Sequence, residues 1–204
     1  MQSKSLFIGL LTLISLSGYG QEKKSTVNYL GIQGPIVVEK TPYRLAWSSH
    51  PDASLYKQEY LATGDGFPTY KSMVTVDFVV TEASIDQAVA VKMRELETMK
   101  RTYPIVQVQV FNQAATGETM IDCLIGNSAG DERSNILERN VYRYKQVKAK
   151  SGQRGILLFA VSVRKYGNAI TPFLTKLKSE KPLLVNEVAK FTMPEVNLTK
   201  TEIK

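Results

Sequence analysis

The densest run of residues that could do chemistry is Trp47-Ser48-Ser49-His50-Pro51-Asp52, which sets the chain's single histidine beside two hydroxyls and a carboxylate. A hydrolase needs those types: a nucleophile, a base that takes its proton, and an acid that orients the base. Such triads are assembled from separate segments, and residues adjacent in sequence seldom reach the required geometry. No G-x-S-x-G elbow is present to expose a strained serine. The run therefore reads as a turn, with Ser and Asp bonding backbone groups, Pro51 setting the bend and Trp47 packing underneath. No catalytic residue is assigned. The alternative is a hydrolase acting on envelope material, with His50 as its acid-base.

Two segments mix charge with aromatic rings: Tyr56, Lys57, Glu59 and Tyr60, then Arg139, Tyr142, Arg143 and Tyr144. Arg and Tyr are enriched at protein interfaces, and a Tyr ring can stack on a sugar. On a strand they also serve as cross-strand partners on a solvated face. Together with Trp47, the residues Tyr56, Tyr60, Arg139, Tyr142, Arg143 and Tyr144 form the candidate binding set. One His and one Cys are too few for a zinc site of the usual kind. Asp65 and Asp131-Glu132 are too sparse for calcium, since no D-x-D-x-D-G loop occurs. Gly64-x-Gly66 has no following helix and is not a phosphate loop. No metal and no cofactor are expected.

The start of the chain speaks to compartment. Lys4 precedes an apolar run from Leu6 to Leu16, and Ser17-Gly18-Tyr19-Gly20 places small residues before Gln21. That is the pattern of a secretory signal peptide over residues 1–20. The apolar run is shorter than the ~20 residues a membrane-spanning helix needs. An exported protein, periplasmic or extracellular, is expected, with no transmembrane segment in the mature chain. The formal charge of +7 loses one unit with Lys4. Its basic residues are spread along the sequence, as solubility requires. A protein partner or an anionic envelope component fits that excess, whereas nucleic acid does not, because no nucleic-acid motif appears. Cys123 is the single cysteine, so no internal disulfide can form, and it shares a strand face with Ile121 and Ile125 as a small hydrophobe.

Positioning these residues falls to a stretch from Met73 to Phe111. Val74, Val76, Phe78 and Val80 alternate, as do Val106, Val108 and Val110, which predicts two strands. Between them Ile85, Val89, Met93, Leu96, Met99 and Tyr103 form a helix stripe from Ile85 to about Thr102. Ser84 and Gln87 supply a capping box, and Pro104 ends the helix. This strand–helix–strand unit is expected at the centre of one hydrophobic core. Before it, three short strands near 36–39, 43–48 and 55–62 make a meander. After it come hairpins turning at Gln113–Gly117 and at KAKSGQRG, with Ile156–Val163 apolar on both faces and hence central. A helix capped by Asn168 or Thr171 should begin near Pro172, break at Pro182, and resume through Leu184, Val185, Val188 and Phe191. Residues 21–28 read as a leader, 29–193 as one domain, and 194–204 as a flexible tail.

The expected fold class is α+β: an antiparallel β-sheet packed against a long central helix and a C-terminal helical region, with the helices on one face. In element order alone this resembles the PsbP-like fold over most of Tyr29 to Phe191. The resemblance rests on no residue motif and transfers no functional residue. It implies a non-enzymatic accessory or assembly role, since that group is mostly non-enzymatic. The signal peptide ending SGYGQ and the abundance of Tyr look like a bacterial envelope protein. The expected function is a non-enzymatic exported accessory or binding module of the cell envelope.

Overall fold

A computed structural model describes residues 26–127 and 135–198. The expected signal peptide, residues 21–25 of the leader, Asp131-Glu132 and residues 199–204 of the tail lie outside the described residues. Strands β1 (Ile36–Val38), β2 (Thr41–Asp52), β3 (Leu55–Ala62) and β4 (Ser72–Val80) precede helix α1 (Ile85–Met99). Strands β5 (Ile105–Gln113), β6 (Glu118–Gly126), β7 (Ile136–Lys148) and β8 (Arg154–Tyr166) follow, and helix α2 (Ile170–Lys190) closes the order. One eight-stranded sheet runs β1-β2-β3-β4-β8-β7-β6-β5, antiparallel throughout. It is two four-stranded meanders joined where β8 returns beside β4.

The expected α+β layer pair is corrected by this architecture. The chain is mostly antiparallel sheet, curled into a half-barrel, with two α-helices among the described residues. The physical reason is width. A helix about 10 Å across covers roughly two strands spaced ~4.8 Å apart, so α1 cannot form a layer over eight of them. It packs on β5, β6 and β7. The helices also lie on opposite faces rather than on one. Val74, Val76 and Phe78 of β4 join Phe159 and Val161 of β8 and Leu184, Val185 and Val188 of α2 in one core. Ile85, Ala88 and Leu96 of α1 join Ile121, Cys123, Ile125, Tyr142 and Ala160 in a second. The single core expected around β4, α1 and β5 is therefore two main cores separated by the sheet, beside a small cluster of Leu61, Tyr70 and Met73. β8 supplies both, in keeping with its two apolar faces and its place mid-sheet.

Local chemistry explains the helix starts and stops. The Ser84 hydroxyl accepts from Gln87 N while the Gln87 side chain accepts from Ser84 N, so both halves of the capping box are made. α2 differs from expectation: it starts at Ile170 with no side-chain cap and runs through Pro182 without a break. Arg139 Nη2 donates to Lys181 O at 2.7 Å, pinning the backbone just before the proline. Arg143 Nη1 donates to Val188 O and Phe191 O at 2.9 and 2.7 Å, serving carbonyls at the negative end of the helix. Residues 192–198 return across the sheet's end, where Val196 is buried and Asn197 N donates to Leu30 O. Gly31 there has φ of 60°, and a Cβ on it would run into the Asn197 carbonyl.

Candidate functional site

A register shift in β2 builds the site. Leu45 pairs with Tyr60, and after the shift Trp47 pairs with Glu59 and Ser49 with Lys57. The bulge turns Trp47 onto the α1 side of the sheet, because directly paired residues share a face. Two rungs then cross that face. One runs Trp47, Glu59, Thr75, Ala160, Tyr142; the other runs Ser49, Lys57, Asp77, Leu158, Tyr144. Their β7 ends lie under the apolar stripe of α1, whereas their β2–β4 ends lie beyond it. Charges gather along this boundary.

Lys57 Nζ meets Asp77 Oδ2 at 2.9 Å, with the two side chains 23% and 10% exposed. From α1, Lys92 Nζ meets Glu95 Oε2 at 2.9 Å and stands 5.0 Å from the centre of the Tyr142 ring. Asp77 Oδ1 and Glu95 Oε1 are shielded from solvent and have no hydrogen-bond partner. Burial raises the Glu59 carboxyl to about 7, with the nearby Asp77 charge adding to the shift. Burial also pulls the Lys57 ammonium down, but Asp77, with Glu59 and Glu95, outweighs this and leaves it raised. The seam thus presents fixed cations, unpartnered carboxylate oxygens and one carboxyl that changes charge near neutral pH. Such a set accepts hydrogen bonds from hydroxyl or ammonium groups. Beyond it, Arg164 Nε pairs with Glu138 Oε2 at 2.6 Å and its guanidinium stacks over Tyr70.

Of the sequence candidates, Trp47 is the one at the surface, 36% exposed. Tyr56, Tyr60, Arg139, Tyr142, Arg143 and Tyr144 are all buried. The structure divides them between the two faces rather than gathering them on one. Arg139 grips Asp122 through two bonds of 2.9 and 3.0 Å, and Arg143 grips Glu118 at 2.6 Å, both under α2. Tyr142 and Tyr144 belong to the α1 core, where burial pushes both phenols up. Tyr60 lies in the α2 core with its hydroxyl unpartnered.

The run at 47–52 is strand rather than turn. β2 extends to Asp52, whose Oδ1 accepts from Ser54 N, Ser54 Oγ and Leu55 N, so the reversal falls one step later. A second register shift between Ser49 and Asp52 lets Pro51 sit in the strand without a ladder donor. The His50 ring stacks on Tyr56 at 4.0 Å with Nδ1 3.0 Å from Leu55 O. Asp77 was not among the sequence candidates, and Lys92 and Glu95, which the helix pattern places on a wet face, have side chains only 12% and 18% exposed. The signal for Asp77 was a carboxylate inside the otherwise apolar MVTVDFVV.

Elsewhere, a cavity of about 250 Å³ lies among Lys145, Val147, Lys148, Lys150 and Met193–Val196. Two of its lysines are already matched, Lys145 to Glu118 at 3.1 Å and Lys150 to Glu195 at 2.7 Å. Cys123 is buried, and burial pushes its thiol up to about 12, so it packs as a hydrophobe. Among the described residues no group of three or more His, Cys, Asp or Glu could hold a metal ion, and no helix is long and apolar enough to cross a membrane.

The model of one protein family matches residues 30–193. That span covers most of the chain, which belongs to this uncharacterised family. No curated protein and no solved structure matches the chain.

Proposed function

We propose that the protein is an exported binding module of the cell envelope, and that the seam between Trp47 and Asp77 holds a hydroxyl-bearing ligand of saccharide type. The observation that carries this is the pairing of an exposed indole, Trp47, directly opposite Glu59, with Lys57 and Asp77 one rung away. A sugar offers an apolar C–H face for the ring and hydroxyls for Glu59 and Lys57, the charged groups of the seam that keep some exposure. Burying Lys57, Glu59 and Asp77 costs desolvation that an apolar face would avoid, and perturbed groups cluster at functional sites.

Because Trp47 is the only tryptophan, its fluorescence reports the seam without a label. Titrating the protein with neutral and acidic cell-wall saccharides should shift or quench the indole emission saturably, and Asp77→Asn should weaken the response at least tenfold. Saturable binding that leaves Trp47 unperturbed would overturn the placement. One observation favours a second reading. A carboxyl poised near neutral pH, as Glu59 is, suits general acid-base catalysis. Under that reading Glu59→Gln abolishes turnover of the bound saccharide, while a pure binding module shows no turnover to lose.

A further inference from the structure

The sheet has two edges, and they are built differently. β1 is three residues long and pairs only with Thr41–Tyr43, and the rest of β2 beyond it carries two register shifts and Pro51, which suits an edge that pairs with nothing further. β5 is nine residues long, Ile105–Gln113, and pairs with β6 through nine consecutive residues without a bulge. Its sequence, IVQVQVFNQ, contains no charge and no proline. Edges protected from other chains carry Lys, Pro, a bulge or a cover, and β5 has none of these among the described residues. Val110 is 39% exposed, and Gln107 and Gln109 are exposed beside it.

The strand is also nearly palindromic about Val108. If two copies of β5 run antiparallel around a two-fold axis through that residue, Val108 meets Val108 and Gln107 meets Gln109. Val106 then meets Val110, and Ile105 meets Phe111. Each residue finds its own kind, and directly opposed residues share a face, so the two α1 helices stand on the same side. Without charge on the strand, the two-fold axis brings no like-charge repulsion. We propose that the β5 edge is an interaction surface whose occupant is a second copy of this chain, joined in that register to make one continuous sheet of twice the width.

Gln107 and Gln109 are solvent-exposed, so charges placed there spare the monomer's fold, which circular dichroism and thermal unfolding of each variant check. Sedimentation of the purified protein should give the mass of a dimer. The double variant Gln107→Lys with Gln109→Lys sets Lys against Lys in two symmetry-related pairs and should give the monomer mass. The double variant Gln107→Lys with Gln109→Glu sets Lys against Glu in both pairs and should restore the dimer. A wild-type protein that stays monomeric at its highest soluble concentration overturns the proposal. So does a double-lysine variant that dimerises like wild type, and a Lys–Glu variant that stays monomeric overturns the register.

Discussion

On the α2 side of the sheet, Val74, Val76, Phe78, Phe159 and Val161 meet Leu184, Val185 and Val188 in a dry core, and the charges beneath it are matched. Arg143 satisfies Glu118 and two helix carbonyls, and Arg139 satisfies Asp122 and a third. On the α1 side the helix covers β5–β7 and stops, and past its flank lie carboxylate oxygens with no donor. The same strands make both faces, and alternation gives the α1 face Lys57, Glu59 and Asp77 while the α2 face receives Tyr60, Val74, Val76 and Phe78. Coverage differs: the longer α2 and the returning segment 192–198 lie over one face, while the shorter α1 covers only the β5–β7 part of the other.

The comparison breaks hardest at Arg143. Arg143→Ala strands a buried Glu118 and frees the carbonyls of Val188 and Phe191, and should cost about 3–5 kcal/mol in denaturant unfolding. A loss below about 1 kcal/mol would mean that α2 is held by apolar contact alone.

Glu59 tests the open face. Its carboxyl is raised from 4.5 to about 7 by burial, so the folded chain holds this proton more tightly than the unfolded one. Ionising it removes stability as pH climbs from about 4.5 to about 7, and the loss is absent below about 4.5, where both states are protonated. Glu59→Gln should therefore leave stability near wild type at acid pH and raise it by about 2–3 kcal/mol at pH 8. Equal stability differences at both pH values would place Glu59 in a solvated site.

Smaller effects sharpen the contrast. Ser84→Ala removes the capping box of α1 and should cost about 1 kcal/mol by thermal unfolding, with the α2 core untouched. Tyr60→Phe deletes a buried hydroxyl that bonds to nothing, and should be neutral or stabilising by up to ~1 kcal/mol. A clear destabilisation would show that this hydroxyl has a partner in solution. Lys100→Ala, which breaks a pair with Glu97 on the exposed surface, should change stability by no more than about 0.5 kcal/mol.

What was legible in the sequence was local. The alternation of β4, the stripe and cap of α1, the turn at Gln113–Gly117 and the doubly apolar β8 each depend on residues within a few positions of one another, and each appears where periodicity put it except the end of α1, which stops at Met99 rather than near Thr102. The candidate site was legible only in fragments. Trp47 and the Lys57–Glu59 segment stood out as chemistry-bearing, but Arg139, Tyr142, Arg143 and Tyr144 looked like one polar-aromatic cluster. Alternation along β7 sends the arginines to one face and the tyrosines to the other, and both faces are covered there by a helix the local pattern does not announce.

By itself, then, the sequence determined most of the strands, the capped start of α1 and the absence of any internal disulfide, because periodicity, capping and a count of cysteines need no partner from elsewhere in the chain. Tertiary structure alone decided that the sheet is one curled eight-stranded array, that its helices lie on opposite faces, and that Trp47, Glu59 and Asp77 converge. Those outcomes rest on register across non-adjacent strands and on a single bulge in β2. A shift of one residue in pairing reverses every side chain's face, and no local pattern encodes which shift the fold adopts.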